Sequence, residues 1–190
     1  MTQHQQQEHS SEQRRSAFDY PAYQPASKLN LQAQKPRDGK LCATLEEAVR
    51  RSGLKDGMTV SFHHAFRGGD LTLNAVMETL ARMGFKNLTL ASSSLNDCHA
   101  PLVDHIRNNV VSRIYTSGLR GPLAEAISRG LLAEPVQIHS HGGRVELVER
   151  GELSIDVAFL GVPACDPAGN ANGRIGRACS GSLGYAKVDA

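Results

Sequence analysis

Any chemistry in this chain has to come from a few short polar runs. His63-His64-Ala65-Phe66-Arg67-Gly68-Gly69-Asp70 brings together two imidazoles, a guanidinium and two adjacent glycines. Ser92 to His99, Ser117-Gly118-Leu119-Arg120-Gly121 and Ser140-His141-Gly142-Gly143 are runs of the same small, polar kind. The densest is Pro163 to Gly173, where Asp166-Pro167-Ala168-Gly169-Asn170-Ala171-Asn172-Gly173 holds more turn-formers than a plain connection needs. Glycines let backbone N–H groups approach an anion closely, and Arg67 and Arg120 could add forked positive charge. These residue types suit the stabilisation of negative charge on a carboxylate, a phosphate or a developing oxyanion. Asp166, ahead of a proline, reads as a turn-former more readily than as a base.

The histidines also raise a metal reading. His63-His64 and His139-x-His141 could supply ligands only if their strands were neighbours. Adjacent residues on a strand face opposite ways, so at most one of each pair could bind. No glutamate accompanies them at helical spacing, so hydrogen-bonding or substrate-facing roles are expected and no metal. Cys42, Cys98, Cys165 and Cys179 form no CxxC pair. They read as free thiols, each a small buried hydrophobe, in a reducing compartment.

The elements that would position these runs alternate along the chain. Thr44-Leu45-Glu46-Glu47 forms a capping box, and Gly53 closes the helix that follows. Strands are predicted near 58–63, 87–92, 110–116, 136–139 and 155–162, the last being the most apolar. Between them lie a helix capped by Asp70 and ending at Gly84, one opened by Pro101, one running from Pro122 to Gly130, and a short one from Val145 to Arg150. Strands separated by helix-length spacers imply right-handed crossovers and a mainly parallel sheet in a three-layer α/β domain. Every polar run above follows a strand, and ligands of open parallel sheets bind at that carboxyl edge. One extended site on one edge is the expectation.

The 190 residues allow one domain with a tail. Residues 1–40 carry eight of the nine glutamines and the whole net charge of +2, while 41–190 are neutral. The first segment reads as an extended or disordered tail and the second as the domain. A neutral body without tryptophan argues against nucleic acid as a partner. No apolar run approaches the roughly 20 residues of a bilayer span, and Met1 to Ser10 lacks the apolar core of a secretory leader. A cytoplasmic location is expected.

Lys55-Asp56-Gly57-Met58-Thr59-Val60-Ser61-Phe62, with the His63 to Asp70 run that follows, resembles the opening of citrate lyase alpha chains. Ile138-His139-Ser140-His141-Gly142-Gly143-Arg144, Gly161 to Gly173 and Gly181-Ser182-Leu183-Gly184-Tyr185-Ala186 resemble the same family. The likeness runs from about Leu41 to the end. Known members are considerably longer, so the resemblance implies the first CoA-transferase-like (sugar-phosphate isomerase-like) domain, incomplete at its C-terminus. His63-His64 stand where ordinary oxoacid CoA-transferases carry Gly-Gly, a departure shared by the citrate lyase branch.

The resemblance implies a citrate CoA-transferase subunit, exchanging acetyl for citryl on an acyl carrier protein thioester and releasing acetate. His63, His64, Arg67 and Asp166 are the catalytic candidates. Gly68, Gly69, Ser117, Gly118, His141, Gly142, Gly143, Gly169 and Asn170 are candidates for binding the substrate and thioester. No cofactor is expected on the chain itself, the CoA-like prosthetic group being carried by the acyl carrier protein. Citryl lyase subunits and further copies of the chain are the other expected partners. Related transferases use a covalent glutamate, but the glutamates here lie on helices or outer turns. That agrees with transfer in a ternary complex, and equally with a nucleophile outside this sequence. The chain alone is expected to show little exchange. Sugar-phosphate binding by an isomerase-like or regulatory domain is the alternative.

Overall fold

A computed structural model describes residues 40–63, 71–173 and 188–189, all within Arg37–Ala190, the second of the two units into which the chain divides. The expected tail lies outside the described residues except for Lys40, and so do His64, Arg67, Gly68, Gly69 and Asp70.

Helix α1 (Leu45–Ser52) starts as its capping residues require. Thr44 Oγ1 accepts the Glu47 N–H at 3.1 Å, and the Glu47 carboxylate reaches back to the Ala43 N–H at 2.9 Å, one residue before the cap. Gly53 ends the helix at φ +76°, where a side chain would be strained. There follow β1 (Thr59–His63), α2 (Thr72–Arg82), β2 (Leu88–Ser92), a 3-10 turn at Asp97–His99, α3 (Leu102–Arg107) and β3 (Val111–Thr116). The chain continues through α4 (Gly121–Ser128), β4 (Gln137–Ile138), α5 (His141–Glu149) and β5 (Val157–Leu160). A short antiparallel pair, β6 (Ala164–Cys165) and β7 (Ala171–Asn172), lies beyond.

The five main strands form one parallel sheet in the order β4-β3-β2-β1-β5. The steps from β1 to β4 run in one direction, and the step to β5 reverses it. Right-handed crossovers then put α2, α3 and α4 on one face and α5 on the other, giving three layers. Side-chain alternation on β1 agrees. Val60 and Phe62 enter the apolar cluster with Leu73, Val76, Met77 and Leu80 of α2, while Ser61 is reached by Arg144 of α5 at 3.0 Å. Each large apolar side chain buried in that cluster contributes about 1.5–3 kcal/mol. At the opposite end of the sheet, Asn87 and Asn109 both take left-handed backbone, and their side chains bond to each other at 2.8 Å.

The most apolar strand, β5, lies at the sheet edge and is only partly covered, with Ala158 exposed. Two expectations need correction. Helix α5 begins at His141 rather than Val145, because Ser140 Oγ accepts the Gly143 N–H at 3.0 Å and caps a first turn containing two glycines. The described cysteines are not buried hydrophobes: Cys42 and Cys98 are half-buried and Cys165 is exposed. No described helix is long and apolar enough to cross a membrane.

Candidate functional site

Because the strands are parallel, the segments that follow them leave from one edge of the sheet. The strand order reverses between β1 and β5, and crevices of this kind hold ligands in open α/β sheets. His63 ends β1 there, in register with Leu160 at the end of β5.

His63 is not isolated. Its Nε2 lies 2.6 Å from Asp189 Oδ2, and Ser61 Oγ donates to the same oxygen. Arg144 grips the carboxylate with both terminal nitrogens, Nη1 to Oδ1 at 2.8 Å and Nη2 to Oδ2 at 3.1 Å, and Nη2 also reaches Ser61 Oγ. The side chains of His63, Arg144 and Asp189 are 8, 5 and 1% exposed. Burial alone would raise the Asp189 pKa. The hydrogen bonds from His63, Arg144 and Ser61, with the charge of Arg144, outweigh it and hold the carboxyl well below the usual carboxylate range.

Of the other described candidates, Ser117, Gly118 and His141 to Gly143 follow strands of the main sheet, and Asp166, Gly169 and Asn170 lie beyond β5 in the separate β6–β7 pair. Ser117 and Gly118 follow β3, and their backbone is tied to the segment after β2: Ser117 N–H to Ser93 C=O at 3.0 Å, and Leu95 N–H to Gly118 C=O at 2.8 Å. Pairing therefore continues past the strands as a Leu95–Leu119 bridge. His141, Gly142 and Gly143 form the first turn of α5 rather than a loop, with His141 and Gly142 exposed. The Gly143 amide is engaged by Ser140. Asp166, Gly169 and Asn170 belong to the exposed turn joining β6 to β7.

Asp166 is closely committed to that turn. Its carboxylate accepts the Asn170 N–H at 2.9 Å and Asn170 Nδ2 at 2.8 Å, and its carbonyl accepts the Gly169 N–H at 2.9 Å. The Asn170 side chain, its backbone N–H and the neighbouring amides lower the Asp166 pKa. The amides of Gly143, Gly169 and Asn170, read from sequence as anion donors, thus have partners within their own turns. His99, in the run after β2, is buried with Nδ1 accepting the Asn96 N–H at 3.0 Å, a structural role.

Strands β2 and β3 separate β1 from β4, so His63 and the His139-x-His141 pair are not on neighbouring strands. His139 stacks on Tyr115 instead, centroids 6.2 Å apart. Among the described residues no three His, Cys, Asp or Glu side chains cluster to hold a metal ion. Sequence reasoning missed Ser61, Arg144 and Asp189. A signal existed for two of them: Ser61 is polar inside an apolar strand, and Arg144 follows a helix cap on a face that must pack inward.

The chain is 76% identical over 177 residues to the citrate lyase alpha chain of Escherichia coli K12, a match covering 93% of this chain and 35% of that one. It is 67% identical over 172 residues to the citrate lyase alpha chain of Haemophilus influenzae, covering 90% of this chain and 34% of the relative. The chain thus spans about a third of the length of the curated relatives it matches. A crystal structure of a citrate lyase alpha subunit from Streptococcus mutans in complex with citrate superposes with a TM-score of 0.78 at 50% identity, covering 82% of this chain and 30% of that one. Residues 38–190 match the family described as citrate lyase, alpha subunit, and with four-fifths of its length inside that match the chain belongs to this family.

Proposed function

We propose that this chain contributes the transferase site of citrate lyase. In that reaction a citrate carboxylate attacks the acetyl thioester carbonyl of an acyl carrier protein and expels the thiolate of its CoA-like prosthetic group, leaving a mixed anhydride. The thiolate then attacks the citryl carbonyl and expels acetate, so that citryl thioester remains on the carrier. The observation that carries this reading is the family match over residues 38–190, which spans every described strand and the polar runs that follow them. The chemistry moves negative charge from the attacking carboxylate onto the tetrahedral oxygen, so the site must supply preorganised donors for both positions, each worth roughly 3 kcal/mol.

In this proposal His63, His64 and Arg67 lie against the reacting groups, with Arg67 forking onto a citrate carboxylate. Gly68 and Gly69 offer amides to the oxyanion. Ser117, Gly118, His141 and Gly142 line the rest of the edge, where the N-terminus of α5 favours an anion. Asp166, Gly143, Gly169 and Asn170 act by shaping their turns, because their polar groups have local partners. The partners are the acyl carrier protein, citryl lyase subunits and further copies of the chain, in the cytoplasm.

The test is citrate-dependent release of labelled acetate from acetyl–acyl carrier protein. It is run with the chain alone, and with the portion of the Escherichia coli relative beyond the match supplied in trans. Little exchange is expected from the chain alone and restored exchange from the mixture, lost again in Arg67→Ala or Gly68→Val. A mixture that leaves acetate bound in the presence of citrate would overturn the reading. So would an Arg67→Ala chain that exchanges normally.

A further inference from the structure

The face of β1 beneath α5 is polar where its other face is apolar. Ser61 and His63 alternate with Val60 and Phe62, and α5 answers them with an arginine. Burying an arginine and an aspartate there is a poor way to hold a helix on a sheet, since apolar side chains of similar volume often do as well or better. What the ionic arrangement supplies is direction. Arg144 grips Asp189 at two points, Ser61 adds a third, and the carboxylate plane is fixed before His63 is considered.

We propose that Asp189, clamped by Arg144 and Ser61, is a positioning residue that fixes the His63 ring at the crevice between β1 and β5 with its proton on Nε2. An ionised carboxylate can only accept, so the contact at 2.6 Å obliges Nε2 to donate. In the neutral ring Nδ1 is then the basic nitrogen. Asp189 stays ionised because its hydrogen bonds and the Arg144 charge outweigh its burial. Among the described residues, the charged groups facing this carboxylate are Arg144 from α5 and His63 from β1. The catalytic consequence rests on the transferase reading of the edge, but the tautomer does not.

Two measurements separate these. Nitrogen-15 NMR of the histidine rings, with His63 assigned by its loss in His63→Gln, reports the tautomer in the chain itself. Wild type should show a protonated Nε2. Asp189→Asn should shift the ring toward the Nδ1-protonated form or a mixture, because an amide turned toward Nε2 donates rather than accepts. If Asp189→Asn fails to fold, Arg144→Lys keeps the buried charges balanced while removing the two-point grip, so the carboxylate can turn away from Nε2 and the ring should lose part of its Nε2-protonated population.

In the mixture that supports exchange, Asp189→Asn should lower kcat roughly 10-fold or more and change the KM for citrate much less. Combined with His63→Gln it should lower kcat no further than His63→Gln alone. An unchanged tautomer in both variants would overturn the inference, as would fold-losses that multiply in the double variant. If no wild-type mixture exchanges citrate, the transferase reading fails, and the NMR result alone decides whether Asp189 positions the ring.

Discussion

Alanine at Gly121 should be one of the most damaging single-methyl additions in the described fold. Gly121 opens α4 at φ +66°, and leaving a non-glycine residue in left-handed backbone costs about 1–2 kcal/mol. The added Cβ would also overlap Asp97 Oδ1 and lie 2.9 Å from its Cγ and 3.1 Å from its Cα. The exposed Asp97 carboxylate can swing aside, but its Cα belongs to the 3-10 turn after β2 and cannot do so cheaply. Overpacking of this kind adds about 1 kcal/mol, the low end of its range, for a total of roughly 2–3 kcal/mol.

Gly53→Ala is the matched control. Its φ is +76° but nothing lies within 4 Å of the new Cβ, so only the backbone cost of about 1–2 kcal/mol applies. Urea unfolding of both variants isolates the clash as their difference. Asp97→Ala in the Gly121→Ala background should recover part of that difference by removing the Oδ1 and Cγ contacts. Because Gly121 seats the segment after β3 on the segment after β2, the loss should also loosen the Arg120 N–H to Leu95 C=O bond, now 3.1 Å, and speed its amide exchange. Equal destabilisation at both glycines would refute the reasoning.

Asp189 should make stability acid-sensitive. Its folded carboxyl titrates below the unfolded value of ~3.9, so its contribution is complete above that pH and is lost as pH falls toward the folded value. The stability gap between wild type and Asp189→Asn, from urea unfolding, should therefore be widest near neutrality and narrow below about pH 4; a constant gap would contradict it. Thr44→Ala should cost about 1 kcal/mol by removing the acceptor for the Glu47 N–H, again by urea unfolding. Peptide mapping after brief alkylation should find Cys165 modified well ahead of Cys42 and Cys98, following their exposure.

The local punctuation of this fold was legible because it is a property of neighbouring residues. Thr44 and Gly53 bracket α1, Pro122 and Gly130 bracket α4, and five apolar runs became five parallel strands with every end within two residues of the expected position. The family resemblance was legible for the same reason, resting on contiguous motifs within residues 38–190. Strand order was not. The chain crosses the whole sheet from β4 to set β5 beside β1, and the Thr59 N–H to Asp156 bond that helps dock it spans 97 positions. His63 reads as a site candidate from its run, but its partner Asp189 comes 126 residues later, and no periodicity links them. The misread donors failed for a different reason. Ser140 and Asp166 bond to backbone amides in their own turns, a local competition that makes a glycine-rich run look emptier than it is.

The two faces of β1 also explain how the crevice tolerates a buried ion pair. Phe62 stands opposite Phe159 in the β1–β5 register, and the rings stack with centroids 5.4 Å apart. Such a pair contributes about 0.5–1.5 kcal/mol beyond the area it buries. It fastens the two strands at the point where the sheet order reverses, next to His63 and Leu160 and on the face away from α5. Attachment of β5 to β1 therefore does not depend on Arg144 and Asp189, whose burial is costly and whose hydrogen bonds are directional. The apolar face supplies cohesion and the polar face supplies orientation. Loss of Asp189 should accordingly disturb the His63 ring before it separates the strands.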